Sequence, residues 1–106
     1  MSFQRACAYA ELVDGSALRF EVDGLDVAVV RDGDEVYAIE DECSHASVAL
    51  SEGDVEGCTI ECWMHGSRFD LRTGKALGPP ATEPVPVFPV RVEGDDVLID
   101  VENPLA

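Results

Sequence analysis

Basic residues are scarce in this 106-residue sequence: 7 lysines and arginines stand against 22 aspartates and glutamates, giving a formal net charge of −15. Such a surface repels phosphate backbones and anionic lipids, so we expect neither nucleic acid nor a membrane as a partner. Long apolar runs are also missing. The longest aliphatic run, residues 27–30, is far shorter than the roughly 20 residues of a membrane helix. The first residues contain no apolar segment of the secretory type, which predicts a cytoplasmic protein.

Other missing features exclude several kinds of chemistry. The basic residues form no cluster and no glycine-rich loop opens a helix pattern, so we expect no phosphate cradle and no direct NADH binding. Only two histidines occur, His45 and His65. If both bind a metal, the chain can build neither a Ser-His-Asp triad nor the two-histidine, one-carboxylate iron site of oxygenases. The chain is therefore predicted not to be an oxygenase itself.

The distribution of valines and turns predicts an all-β fold in a single domain spanning residues 1–106. Valine is the commonest apolar residue and favours pleated sheet. Asp-Gly pairs, which favour tight turns, begin at residues 14, 23 and 32. No segment carries a sustained helical stripe. Short strands between these turns indicate an antiparallel meander that leads into a sandwich or small barrel.

The rest of the chain is less regular. We expect one or two helical turns at 9–13, a loop over 41–58 and a stiff proline-rich loop over 76–89. The final hairpin, with strands at 87–93 and 96–101, is predicted to join the same sheet system, because an isolated hairpin is barely stable.

The cysteines and histidines form a pattern that is typical of a metal site. His45 follows Cys43 by two residues, and His65 follows Cys62 by three. Two thiolates and two imidazoles fit either a structural zinc ion or a [2Fe–2S] cluster. Zinc sites usually pair like ligands in each loop, whereas a Rieske centre places two cysteines on one iron and two histidines on the other. The two mixed loops therefore favour the cluster, with zinc as the alternative.

The other two cysteines, Cys7 and Cys58, have no histidine beside them. We interpret both as small buried side chains in strands, because cysteine is among the most buried residue types. A disulfide between them has no support in the sequence.

The segments 43–45 and 62–70 resemble the cluster-binding signature of Rieske proteins. The flanking segments 50–53, 70–77 and 78–81 are similar to those of Rieske-type ferredoxins, small electron carriers of ring-hydroxylating dioxygenase systems. The resemblance implies an antiparallel β sandwich of the Rieske type with a small cluster-binding subdomain at one tip, whose loops occupy about 41–80. It also implies one [2Fe–2S] cluster and two transient partners, a flavin-dependent NAD(P)H reductase and a terminal oxygenase.

The same resemblance assigns roles to individual residues. Cys43 and Cys62 are expected to hold the inner iron, and His45 and His65 the outer one. The segment 78–80 would cover the cluster as a third wall.

Some residues depart from relatives of high potential. Those proteins carry an extra cysteine in each loop, joined as a disulfide, whereas this sequence has Ala, Ser and Val at 46–48 and Met64. Phe69 stands where they have tyrosine, so one hydroxyl near the cluster is lost, while Ser67 supplies the other. These differences predict a potential near the lower end of the Rieske range of about −150 to +300 mV.

Two other functions also fit the sequence. The chain resembles the small Rieske-fold subunit of nitrite reductases, which stays bound to a larger enzyme. It also fits a zinc-stabilised interaction module without redox activity. Trp63 and Met64 are expected either to cover the cluster or to contact a partner.

Overall fold

The computed structural model describes residues 3–43, 48–63, 66–77 and 83–105. These residues form ten strands and two short 3₁₀ turns, Tyr9–Glu11 and Leu50–Glu52. The strands are β1 Gln4–Ala8, β2 Ser16–Val22, β3 Leu25–Asp32, β4 Glu35–Glu40, β5 Asp54–Glu56, β6 Thr59–Glu61, β7 Arg68–Asp70, β8 Val87–Phe88, β9 Val90–Glu93 and β10 Asp96–Ile99.

The strands form three antiparallel sheets. The first sheet has the order β2-β3-β4-β8, the second β1-β10-β9 and the third β5-β6-β7. The meander predicted from the Asp-Gly turns is the β2-β3-β4 part of the first sheet, with Val22 paired to Leu25 and Asp32 to Glu35. The predicted all-β antiparallel sandwich is confirmed.

Strand β3 lies at the centre of the molecule and is buried on both faces. Val27 and Val29 belong to one apolar cluster together with residues of β1 and β10. Ala28 and Val30 belong to a second cluster, which includes residues of β6 and β7. Because successive side chains of a strand point to opposite faces, the run at 27–30 serves both cores at once. The four-stranded sheet is therefore the middle layer, with the β5-β6-β7 sheet on one face.

Three local expectations differ from the structure. The segment 41–58, expected to be a loop, contains the 3₁₀ turn Leu50–Glu52 and strand β5, which pairs with β6. The segment 87–93 is not one strand, because Pro89 separates β8 from β9 and cannot donate to a sheet ladder. β8 pairs with β4, whereas the β9–β10 hairpin pairs with β1 in a different sheet. The helical turns expected at 9–13 are a single 3₁₀ turn, Tyr9–Glu11. Within the described ranges, no helix has the length and apolar character that a membrane crossing requires.

Candidate metal centre

Cys43 and Cys62 lie in the same apolar core. Cys62 directly follows β6, and Cys43 comes three residues after the end of β4. Both side chains are buried, and both belong to the cluster that also contains Leu50 and Phe69. All four cysteines of the chain are described, and they are thiols rather than disulfides. The structure thus brings together the two cysteines that the sequence pattern singled out.

The predicted histidine ligands cannot be placed in the same way. His45 and His65 lie outside the described residues, as do Met64 and the segment 78–80.

Backbone hydrogen bonds close the chain around each cysteine. The amide of Cys43 donates to the carbonyl of Val48 at 2.9 Å. The amide of Cys62 donates to the carbonyl of Ser67 at 2.6 Å, and the amide of Gly66 donates back to the carbonyl of Cys62 at 3.0 Å. Gly66 has a φ of +77°, a conformation that glycine adopts without steric cost. Backbone hydrogen bonds therefore join Cys43 to Val48 and Cys62 to Ser67.

A third segment joins these loops on the side of the proline-rich chain. The amide of Gly74 donates to the carbonyl of Asp70 at 2.7 Å, and the carbonyl of Gly74 accepts from the amide of Val85 at 2.8 Å. Val85 is buried in the same cluster as both cysteines. Val85, within the proline-rich stretch, therefore lies against the turn that follows β7.

Two residues near Cys62 differ sharply in exposure. Ser67 is fully buried, whereas the side chain of Trp63 is 52% exposed. Leu77, whose amide donates to the carbonyl of Arg68 at 2.8 Å, is exposed to the same extent. A large aromatic surface beside Cys62 therefore faces solvent.

The donor chemistry of this region fits a metal cluster better than a hard cation. Two thiols buried in the same apolar core are soft ligands, which select iron–sulfur clusters or zinc over calcium or magnesium. Across 3–43, 48–63, 66–77 and 83–105, no group of three or more His, Cys, Asp or Glu side chains could hold a metal. The two predicted histidine ligands, His45 and His65, lie beyond those ranges.

The burial expected for the other two cysteines is confirmed for Cys7 and wrong for Cys58. Cys7 is buried in β1, as expected, and burial raises the pKa of its thiol to about 11. Cys58 was expected in a strand, but it lies in the turn between β5 and β6 and is only partly buried. Gly57 and Cys58 connect the paired residues Glu56 and Thr59, a turn that falls within the loop expected over 41–58.

The side chain of Cys58 is engaged in polar contacts. Its thiol donates to the hydroxyl of Tyr37 with Sγ 3.1 Å from the oxygen, and Sγ lies 3.7 Å from Oδ2 of Asp32. The hydrogen bond with Cys58 is the main cause that raises the pKa of Tyr37 to about 12.

A buried carboxylate that no sequence pattern predicted, that of Asp41, lies just before Cys43. Asp41 accepts two hydrogen bonds from Ser51 and forms an ion pair with Arg19. In the sequence it stands between two similar acidic residues, Glu40 and Glu42, and no local pattern distinguishes it from them.

Comparison with known proteins agrees with this geometry. Residues 2–89 match the Rieske [2Fe-2S] domain family. The ferredoxin component of biphenyl 2,3-dioxygenase from Rhodococcus jostii (strain RHA1) is 44% identical over 103 residues, which cover 97% of this chain and 96% of that protein.

Solved structures give the same result. The ferredoxin of carbazole 1,9a-dioxygenase from Nocardioides aromaticivorans IC177 superposes with a TM-score of 0.89 at 40% identity, covering 93% of this chain and 97% of that one. A chain in a complex of reduced oxygenase and oxidized ferredoxin in carbazole 1,9a-dioxygenase gives a TM-score of 0.86 at 38% identity, covering 92% and 91%. The family match over residues 2–89, together with identities of 44% and 40% to ferredoxins of dioxygenase systems, shows that the chain belongs to the Rieske [2Fe-2S] domain family and resembles those ferredoxins.

Proposed function

We propose that this chain is a one-electron carrier in which one Rieske [2Fe–2S] cluster is held by Cys43, His45, Cys62 and His65. The observation that carries the proposal is the burial of Cys43 and Cys62 in one apolar cluster, where backbone hydrogen bonds join Cys43 to Val48 and Cys62 to Ser67. Membership of the Rieske family supports a cluster of this type. The same proposal takes residues 1–106 as a single domain with its cluster-binding loops at about 41–80.

The residues of the chain have distinct tasks in this proposal. Cys43 and Cys62 would hold one iron from the core side, where apolar neighbours such as Leu50 and Phe69 exclude water. His45 and His65 would hold the other iron. When bound, the cluster takes up and releases one electron at a time. Hydrogen bonds and solvent access around the ligands set the reduction potential.

The relatives indicate where such a carrier acts. They are named as ferredoxin components of dioxygenases, so they carry electrons rather than catalyse the reaction. One solved complex contains a ferredoxin with an oxygenase. We infer that this chain receives electrons from a flavin-dependent NAD(P)H reductase and passes them to a terminal oxygenase in the cytoplasm. Biphenyl and carbazole systems both contain such relatives, so the organic substrate is selected by the oxygenase.

Metal analysis and electron paramagnetic resonance test the cluster. We expect two irons and two sulfides per chain after anaerobic purification, with a Rieske-type signal after reduction by dithionite. One zinc per chain and no signal would overturn the proposal and favour the zinc-stabilised module.

Single substitutions test the ligand set. Cys43→Ser and Cys62→Ser should lose the cluster, whereas Cys58→Ser and Cys7→Ala should keep it, because neither of the latter cysteines belongs to the core around the loops. His45→Cys should keep some iron but change the spectrum and lower the potential. Unaltered iron content, spectrum and potential in His45→Cys would show that His45 is not a ligand.

Stopped-flow mixing with a purified flavin reductase and a terminal oxygenase tests the electron route. Reduction by the first protein and reoxidation by the second, without a stable complex, is the expected result. Isolation as a stoichiometric complex with a larger reductase would instead favour the nitrite-reductase-like role.

A further inference from the structure

A buried carboxylate connects the two ends of the loop that carries Cys43. The side chain of Asp41 has no exposed surface. Its Oδ1 accepts the backbone amide of Ser51 at 2.7 Å, and its Oδ2 accepts the Ser51 hydroxyl at 2.7 Å. One serine therefore supplies two of the donors that this buried anion needs, and a buried anion without donors would be costly.

Asp41 and Ser51 stand on opposite sides of Cys43 in the sequence. Asp41 lies two residues before Cys43, and Ser51 lies in the 3₁₀ turn Leu50–Glu52 on the far side of the loop. The amide of Cys43 and the carbonyl of Val48 make a second bond across the same loop. The carboxylate of Asp41 therefore fixes the separation of the two chain ends between which Cys43 and His45 stand.

Arg19 completes the arrangement from strand β2. Its Nε lies 3.3 Å from Oδ2 of Asp41, and its Nη2 lies 2.7 Å from Oδ2 of Asp26. The amide of Asp41 also donates to the carbonyl of Asp26 at 3.0 Å. Because β2 belongs to the middle sheet, Arg19 both compensates the charge of Asp41 and attaches the loop base to the rigid part of the fold.

We propose that Asp41 is a positioning residue for the metal centre: held by Ser51 and compensated by Arg19, it closes the base of the loop that presents Cys43. This inference rests on the proposed function, since it concerns the cluster that Cys43 would bind. It assigns no ligand role to Asp41. The carboxylate keeps the loop in the shape that retains the metal.

The rate of cluster loss in the presence of an iron chelator tests this role on the holoprotein. Asp41→Asn should lose the cluster about tenfold faster or more, because hydrogen bonds to a charged group are stronger than neutral ones. Ser51→Ala should show a smaller acceleration in the same direction, since it keeps the amide donor. Ser51→Thr keeps both donors and should restore the wild-type rate.

Asp100→Asn is the matched control. Asp100 is an equally buried aspartate that accepts hydrogen bonds from Glu102 and Asn103 at the end of β10. It directly follows β10, a strand of the sheet that does not carry the ligand loops. Asp100→Asn should lower the melting temperature without a selective effect on cluster loss.

The reduction potential separates positioning from general destabilisation. Asp41→Asn removes a negative charge beside the loop and should raise the potential, whereas Arg19→Gln leaves that charge uncompensated and should lower it. Asp100→Asn should not change it.

Three results would overturn the inference alone while the wild type holds its cluster. The first is a wild-type rate of cluster loss in both Asp41→Asn and Ser51→Ala. The second is an acceleration of cluster loss in Asp100→Asn as large as that in Asp41→Asn. The third is that the reduction potentials of Asp41→Asn and Arg19→Gln do not move in opposite directions. If Asp41→Asn does not fold, the comparison of Ser51→Ala with Ser51→Thr decides. A wild-type protein that binds no cluster would overturn the proposed function itself, and this inference with it.

Discussion

Gly53 lies so close to the backbone of Glu61 that a Cβ at residue 53 would overlap the carbonyl oxygen of Glu61. Gly53 directly follows the 3₁₀ turn Leu50–Glu52 after the first loop, and Glu61 directly precedes Cys62. The φ of Gly53 is −88°, a value that any residue adopts. Glycine is therefore required here by space and not by conformation, and the contact joins the chain leaving one ligand loop to the chain entering the other.

Gly53→Ala should lower the free energy of unfolding by about 1–3 kcal/mol, the usual cost of forcing an added group into a packed site. Chemical denaturation of the wild type and the variant measures this difference. Gly57→Asn is the control: Gly57 has a φ of +60° and open space around it, and asparagine tolerates that conformation. Equal stability of Gly53→Ala and the wild type would show that the two segments do not depend on this contact.

Local patterns in the sequence predicted much of the fold and the candidate ligands. The Asp-Gly pairs fix the turns of the meander because turn geometry depends on a few adjacent residues. The cysteine and histidine motifs are equally local. Contacts between distant residues could not be found in this way: Asp41 and Ser51 are ten positions apart, and only the path of the intervening chain brings them together.

Double burial of β3 was also hidden from the sequence analysis. A continuous apolar run indicates a strand covered on both faces, but the run at 27–30 was used only to exclude a membrane helix and to place one strand of the meander. The split at Pro89 was missed for a related reason: the proline was counted within a stiff loop, although its lack of an amide donor makes it a natural boundary between β8 and β9.

The burial of Cys7 should make stability fall at alkaline pH. Burial raises the pKa of its thiol to about 11 from the ordinary value of 9.0; Glu11 raises this pKa further, and Arg5 lowers it. Because the pKa is higher in the folded state, this contribution is fully present below about pH 9 and is lost as the pH rises through about 11. The loss should reach about 2 kcal/mol, measured by denaturation across this pH range.

Cys7→Ala provides the control for that measurement. The variant should be less stable at neutral pH, because it leaves a small cavity in the core, but its stability should fall less steeply between about pH 9 and about pH 11. Parallel curves for the two proteins would show that Cys7 does not contribute to the alkaline transition.

The hydrogen bond between Cys58 and Tyr37 should contribute about 0.5–1.5 kcal/mol to stability, the usual net value for such a bond. A double-mutant cycle with Tyr37→Phe, Cys58→Ala and the combined variant isolates this coupling from the effects of each side chain alone. Tyr37→Phe should also remove the part of the alkaline transition near pH 12 that its raised pKa causes. Additive effects of the two substitutions would mean that the thiol and the hydroxyl do not stabilise each other.

Raising the ionic strength should slow electron transfer if the acidic surface of this chain attracts its protein partners. With a net charge of −15, association with a basic partner is accelerated at long range, and raising the salt from about 0.01 M to about 0.1 M shortens the Debye length from about 30 Å to about 10 Å. The second-order rate of reduction by the reductase should fall several-fold over this range.

Glu42 is an exposed charged residue beside Cys43. Glu42→Gln should lower that rate about twofold at low salt. Asp95→Asn, in the β9–β10 turn of another sheet, should leave the rate close to wild type. A salt-independent rate, or equal effects of the two substitutions, would mean that steering by a patch near the ligand loops does not operate, because a localised patch must act through the charges nearest to the docking face.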